Sequence, residues 1–284
     1  MYRYTVAAAL AALVLAPPAE AKRIAIHYTP IQKLARADAV VVGKVGSVEK
    51  ATVAAAPFPE SADKVDYKVA VIKIETGLAG AAGVTHVKVG FLPPPVDPAA
   101  PVRGGVRPVA LAEGDEGVYF LTKHHTGAFY TISPAMAPAL TAAADYKDQL
   151  ALLKKGAAVL AEPAKALEAG KAEDRTFAAV VLVTKYRTYP ESGGEVETVK
   201  VAADESRAAL KALAEADWAP NPADRNAPNP FQAFGQIGLT DKDGWRQPVV
   251  KPGEDFVAKS REAFAEWVAG AGKDYRINKI VPKK

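Results

Sequence analysis

Ala39-Val40-Val41-Val42-Gly43-Lys44-Val45 is the stretch that decides the fold. Its residues are β-branched and apolar, which suits a pleated strand better than a helix. Gly43 stands where such a strand would bend or bulge. The same chemistry recurs on the C-terminal side. Val65 to Glu75 puts Tyr67, Val69 and Val71 on one face, then changes phase at Ile72 and Ile74 as it would across a bulge. In Thr85 to Leu92, residues Val87, Val89 and Phe91 alternate with His86, Lys88 and Gly90. Gly117 to Thr122 and Ala128 to Ser133 flank a Lys123-His124-His125-Thr126-Gly127 turn, the pattern of a hairpin. These five strands lie between Ala37 and Ser133. A small closed or partly open barrel is the natural way to hide so many short edges.

After Pro138 the rhythm becomes helical. Asp145 can cap a helix carrying Leu150, Leu152 and Leu153 that stops near Gly156. Asp174 to Arg187 is apolar nearly all round its middle and predicts a buried central helix. Asp204 precedes a run with Leu210 and Leu213, and Asn229-Pro230 pairs an N-cap with a proline at the first helical position. Asp255 to Gly270 spaces Phe256, Ser260, Phe264 and Trp267 as a helix does, and Trp218, Trp245 and Trp267 read as core anchors. The expected fold class is α+β: a five-stranded OB-like barrel over 22–138, then a helical domain over 139–284.

Residues 1–21 read as a secretory signal. Arg3 precedes the apolar run Val6–Ala16, Pro17 and Pro18 end it, and Ala19-Glu20-Ala21 is an A-x-A cleavage site. A membrane span needs about 20 apolar residues, so no transmembrane segment is expected in the mature chain. The expected location is secreted or periplasmic, with cleavage after Ala21. The chain of 284 residues has no cysteine, which excludes disulfides, thiolate metal sites and a cysteine nucleophile. Its 36 basic and 32 acidic residues nearly balance within each half, so no concentrated positive face predicts a nucleic-acid partner. Pro93-Pro94-Pro95-Val96-Asp97-Pro98, continuing to Pro101, suits either a semi-rigid crossing between strands or a ligand for an aromatic groove on a partner.

His27-Tyr28-Thr29-Pro30-Ile31-Gln32 followed by Ala37-Asp38-Ala39-Val40-Val41-Val42 resembles the opening of netrin-like modules, including the tissue inhibitors of metalloproteinases. Tyr67 to Gly77 is similar to that family's second strand, and Glu116 to Thr122 with Phe129 to Ile132 to its last two. The resemblance covers about 24–133 and implies an OB-type barrel. It does not bring the inhibitory mechanism, because those inhibitors grip zinc through a mature N-terminal cysteine and here the expected terminus is Lys22. Residues 173–276, notably Asp174-Arg175, Tyr186-Arg187 and Gly244-Trp245, look like tails of secreted bacterial proteins of unknown role, and that likeness carries no function.

Catalytic patterns are missing from the chain. Its histidines are His27, His86, His124 and His125, with no H-x-x-x-H or H-E-x-x-H spacing. Thr240-Asp241-Lys242-Asp243-Gly244 fails as a calcium loop, because Leu239 and Val250 fall where carboxylates are required. No serine lies in G-x-S-x-G, and phosphate-cradling glycine loops are absent. The reading is therefore an exported, non-catalytic binding or interaction module with a possible protein partner in the cell envelope and no cofactor or metal. Its candidate binding residues are Tyr67, Phe91, His124, His125 and Tyr130. The alternative is a metal-dependent or hydrolytic envelope enzyme using His124 and His125. A structural envelope component needing no ligand is the third reading.

Overall fold

Thr29-Pro30-Ile31-Gln32 opens the structure with a capping box: the Thr29 hydroxyl accepts from the Gln32 N–H and Gln32 Oε1 accepts from the Thr29 N–H. That box, with proline at the first turn, starts α1 (Pro30–Arg36). The computed structural model describes residues 27–93, 108–219 and 226–283. The expected leader and nearly all of the proline-rich loop lie outside the described residues.

The strands follow as β1 (Ala39–Ala55), β2 (Val65–Ala79), β3 (His86–Phe91), β4 (Glu116–Lys123), β5 (Tyr130–Thr131) and β6 (Ala139–Leu140). They form one large sheet in the order β1-β2-β3-β5-β4-β6, and β1 pairs with β4 as well as with β2. All pairings are antiparallel except β3 with β5, which is parallel. The bulge expected at Gly43 is present: Val42 faces Thr76 whereas Gly43 faces Ile74. A Cβ on Gly43 would lie 2.3 Å from the Lys73 carbonyl oxygen, so only glycine fits. The phase change in β2 comes earlier than its sequence suggests. Thr52 pairs with Lys68 but Val48 pairs with Ala70, so Glu49, Lys50 and Ala51 bulge opposite Val69. Burial accordingly shifts from Tyr67 and Val69 to Ala70 and Ile72, and Val71 is only half-buried.

The helices are α2 (Tyr146–Ala161), α3 (Pro163–Leu167), α4 (Ala172–Arg187), α5 (Ala203–Glu215), α6 (Pro230–Ile237) and α7 (Phe256–Ala269). Gly156 does not end α2. It sits inside the helix, where a Cβ would meet Leu34 Cδ2 at 2.7 Å and Ile31 Cδ1 at 2.9 Å, so it lets α1 approach closely. α4 is the expected buried helix, with every residue from Phe177 to Thr184 buried. The C-terminal half is not helical throughout, because β7 (Val196–Lys200) and β8 (Asn278–Pro282) pair there as an antiparallel ribbon.

Alternate residues of β1 and β4 face different cores. Val40, Val118 and Phe120 join α1, α2 and α4–α7 in the main apolar cluster, whereas Ala39, Val41, Tyr119 and Leu121 join Ile72, Val89 and Phe91 on the other face. Both faces of these strands are therefore dry, and their apolar run is nearly continuous for that reason. Two lysines tie α1 in place. Lys33 donates to the Ala137 carbonyl at 2.7 Å with its ammonium over the Phe120 ring, and Lys185 of α4 donates to the Ala35 carbonyl at 2.8 Å. Burial pushes both ammonium groups below their usual pKa.

Candidate functional site

The five sequence candidates divide between two places. Tyr67, His124 and His125 meet at the end of the sheet where the β1–β2 loop approaches the β4–β5 hairpin. Phe91 lies in the sheet's second core, and half-buried Tyr130 packs against that same cluster. At the hairpin end, His124 stacks on Phe129 with centroids 4.4 Å apart, Tyr67 meets its edge at 5.8 Å, and His125 lies 4.1 Å away.

His124 is 4% exposed and both its ring nitrogens are engaged. Nε2 lies 3.0 Å from the Ala56 carbonyl, which can only accept, so Nε2 carries the proton. Nδ1 is then an acceptor, and it receives the Thr126 hydroxyl at 2.8 Å and the Thr126 backbone N–H at 3.3 Å. Burial, ahead of the neighbouring His125, holds its pKa below the ordinary 6.5. A ring so engaged offers no lone pair to a metal or a substrate. Of the five candidates, His125 is the exposed one. Among the described residues no cluster of three or more histidines and carboxylates is arranged to hold a metal ion.

A cleft of about 630 Å³ lies elsewhere, between α1, α4, the end of α5 and the start of α6. Its volume is in the range of small-molecule sites. Ile31, Phe177, Val180, Ala212 and Ala216 give it apolar walls. Its two basic residues are held by the protein. Arg175 donates to the carbonyls of Ala169 and Gly170 at 2.9 and 3.1 Å and lies 3.9 Å from Glu215. Lys155 is 2.6 Å from Asp174, with its ammonium over the Phe177 ring. Thr29 and Asn229 on the wall are engaged as N-caps of α1 and α6. Thr184 differs from these. It is 5% exposed and lines the cleft, and among the described residues its hydroxyl has no hydrogen-bond partner and is not sealed from solvent.

The sequence matches no protein-family model and no curated protein.

The sequence reading missed this cleft because it is assembled from five separated segments, none of which carries a motif. One feature did mark it. Thr184 is a hydroxyl that closes the buried, otherwise apolar stretch Phe177–Thr184 of α4.

Proposed function

We propose that the protein is an exported, non-catalytic binding module of the cell envelope, built on a closed OB-type barrel, that receives an uncharged, largely apolar ligand in the cleft over Thr184. The observation that carries this reading is the cleft of about 630 Å³ with apolar walls, in which the Thr184 side chain lies on the wall. A ligand's hydrogen-bonding group can meet the Thr184 hydroxyl, and such a bond contributes about 0.5–1.5 kcal/mol net. Occupied bases argue for a neutral ligand, since neither Lys155 nor Arg175 is free to meet an anion. The barrel reading is supported by the pairing cycle β1-β2-β3-β5-β4-β1 with its parallel β3–β5 step. The export reading rests on the leader-like residues 1–21.

The test uses 1-octanol, octylamine and octanoate as probes, followed by calorimetry and thermal shift. Octanol is expected to bind and raise the melting temperature, with octanoate weakest beside Glu173, Glu215 and Asp217. Thr184→Val should weaken octanol binding about 5- to 10-fold, because it removes the hydroxyl on the cleft wall. Thr176→Trp, from the half-buried cleft wall, should block binding. Unchanged octanol binding in both variants would refute the cleft assignment.

A further inference from the structure

We propose that His124 is an acid-released latch that joins the β1–β2 loop to the β4–β5 hairpin and covers the aromatic cluster beneath them. The inference is independent of what occupies the cleft. One imidazole ties two pieces of chain together: Nε2–H holds the Ala56 carbonyl after β1, while within the hairpin Nδ1 holds the Thr126 N–H and its face lies on Phe129. The small cluster of Ala55, Tyr67 and Phe129, with Val65 against it, is what these loops enclose.

The polarity of the two ring bonds makes the latch proton-sensitive. A proton added to Nδ1 turns an acceptor into a donor. The Thr126 hydroxyl can reverse its own hydrogen and accept, but the Thr126 backbone N–H cannot, and it is left facing an N–H. The titratable groups against the ring are His125 from the hairpin and Tyr67 from β2. Protonated His125 opposes a second charge at 4.1 Å, and the Tyr67 phenol is itself held neutral by burial. From the β1–β2 loop the ring meets only a carbonyl, and Glu60, Asp63 and Lys64 of that loop form no ion pair with it. Among the described residues no carboxylate therefore pairs with the ring to stabilise an imidazolium.

The linkage sign follows from this arrangement. His124 has a lower pKa latched than free, so its contribution is complete above the free value of 6.5 and is lost as pH falls through the latched value. Between those two values the equilibrium constant for opening rises about tenfold per pH unit. Opening would expose Tyr67 and Phe129, an apolar surface presented in acid and withheld at neutral pH.

Hydrogen exchange of the purified protein, corrected for the intrinsic pH dependence, tests this between about pH 7 and pH 4.5. Residues 56–64 and 124–129 should lose about tenfold protection per pH unit over part of that window, while β4 stays protected. His124→Gln, whose amide can both donate and accept without titrating, should flatten the response, and His125→Gln should keep it. Nitrogen-15 NMR should show His124 as the Nε2–H tautomer at neutral pH. A protonated or Nδ1–H ring at neutral pH, flat protection, or an unchanged response in His124→Gln would each overturn the latch.

Discussion

Gly90 has no side chain because Phe129 already fills its place: an added Cβ would lie 2.5 Å from the Phe129 ring. That ring is in turn the plate against which His124 stacks. Gly90→Ala should therefore push Phe129 off its seat at a cost of about 1–3 kcal/mol. Denaturant titration is expected to show a lower midpoint with an unchanged slope. Sequence alone offers little warning here. Gly90 reads as one more residue on the outer face of an alternating strand, yet the structure buries it. His124 and His125 look alike as adjacent turn residues, but one is buried with both nitrogens engaged and the other is exposed. Adjacent residues in a turn diverge in this way because the chain direction changes between them, and no periodicity reports it.

At the level of elements, legibility follows burial pattern and length. The β1 run and the apolar stretch of α4 were readable because each is dry on nearly every side. β7 was not, since four of its five residues are exposed and it shows no alternation. β8 buries only Ile280. α1 was missed because seven residues are too few to display a period, although Thr29-Pro30-Ile31-Gln32 is a helix-start pattern in its own right. That pattern sets a prediction. Thr29→Ala removes one arm of the capping box and should cost about 0.5–2 kcal/mol. Because Thr29 also lines the cleft, octanol should raise the melting temperature of this variant no more than that of Gly90→Ala, whose defect lies at the other site and leaves the cleft intact.

On the scale of the whole molecule, the cores hold the structure and the surface charges contribute little. Ion pairs such as Lys165–Glu162 and Lys259–Glu262 are exposed and local. Raising salt to about 0.5 M should shift stability by less than about 1 kcal/mol. Trp218 is 2% exposed, donates to the Leu213 carbonyl at 2.8 Å and packs on Phe231, Phe234 and Phe264. Its replacement by Ala should cost about 3–5 kcal/mol in the same denaturation experiment. The helical layer and the sheet are coupled through a shared cluster, so loss of Trp218 should lower one common transition rather than split it.

The double pairing of β1 also governs how the chain can fold. One side of β1 meets β2, which follows it directly, but the other side waits for β4, where Ala39 pairs with Leu121. A chain made from its N-terminus holds a β-branched edge open until that distant strand has emerged. Closure over so long a separation is slow, and an open apolar edge invites pairing with other chains meanwhile. Assembly of this protein is therefore expected to depend on the order of synthesis, with Ala39–Val45 the segment most in need of shielding before Leu121 arrives.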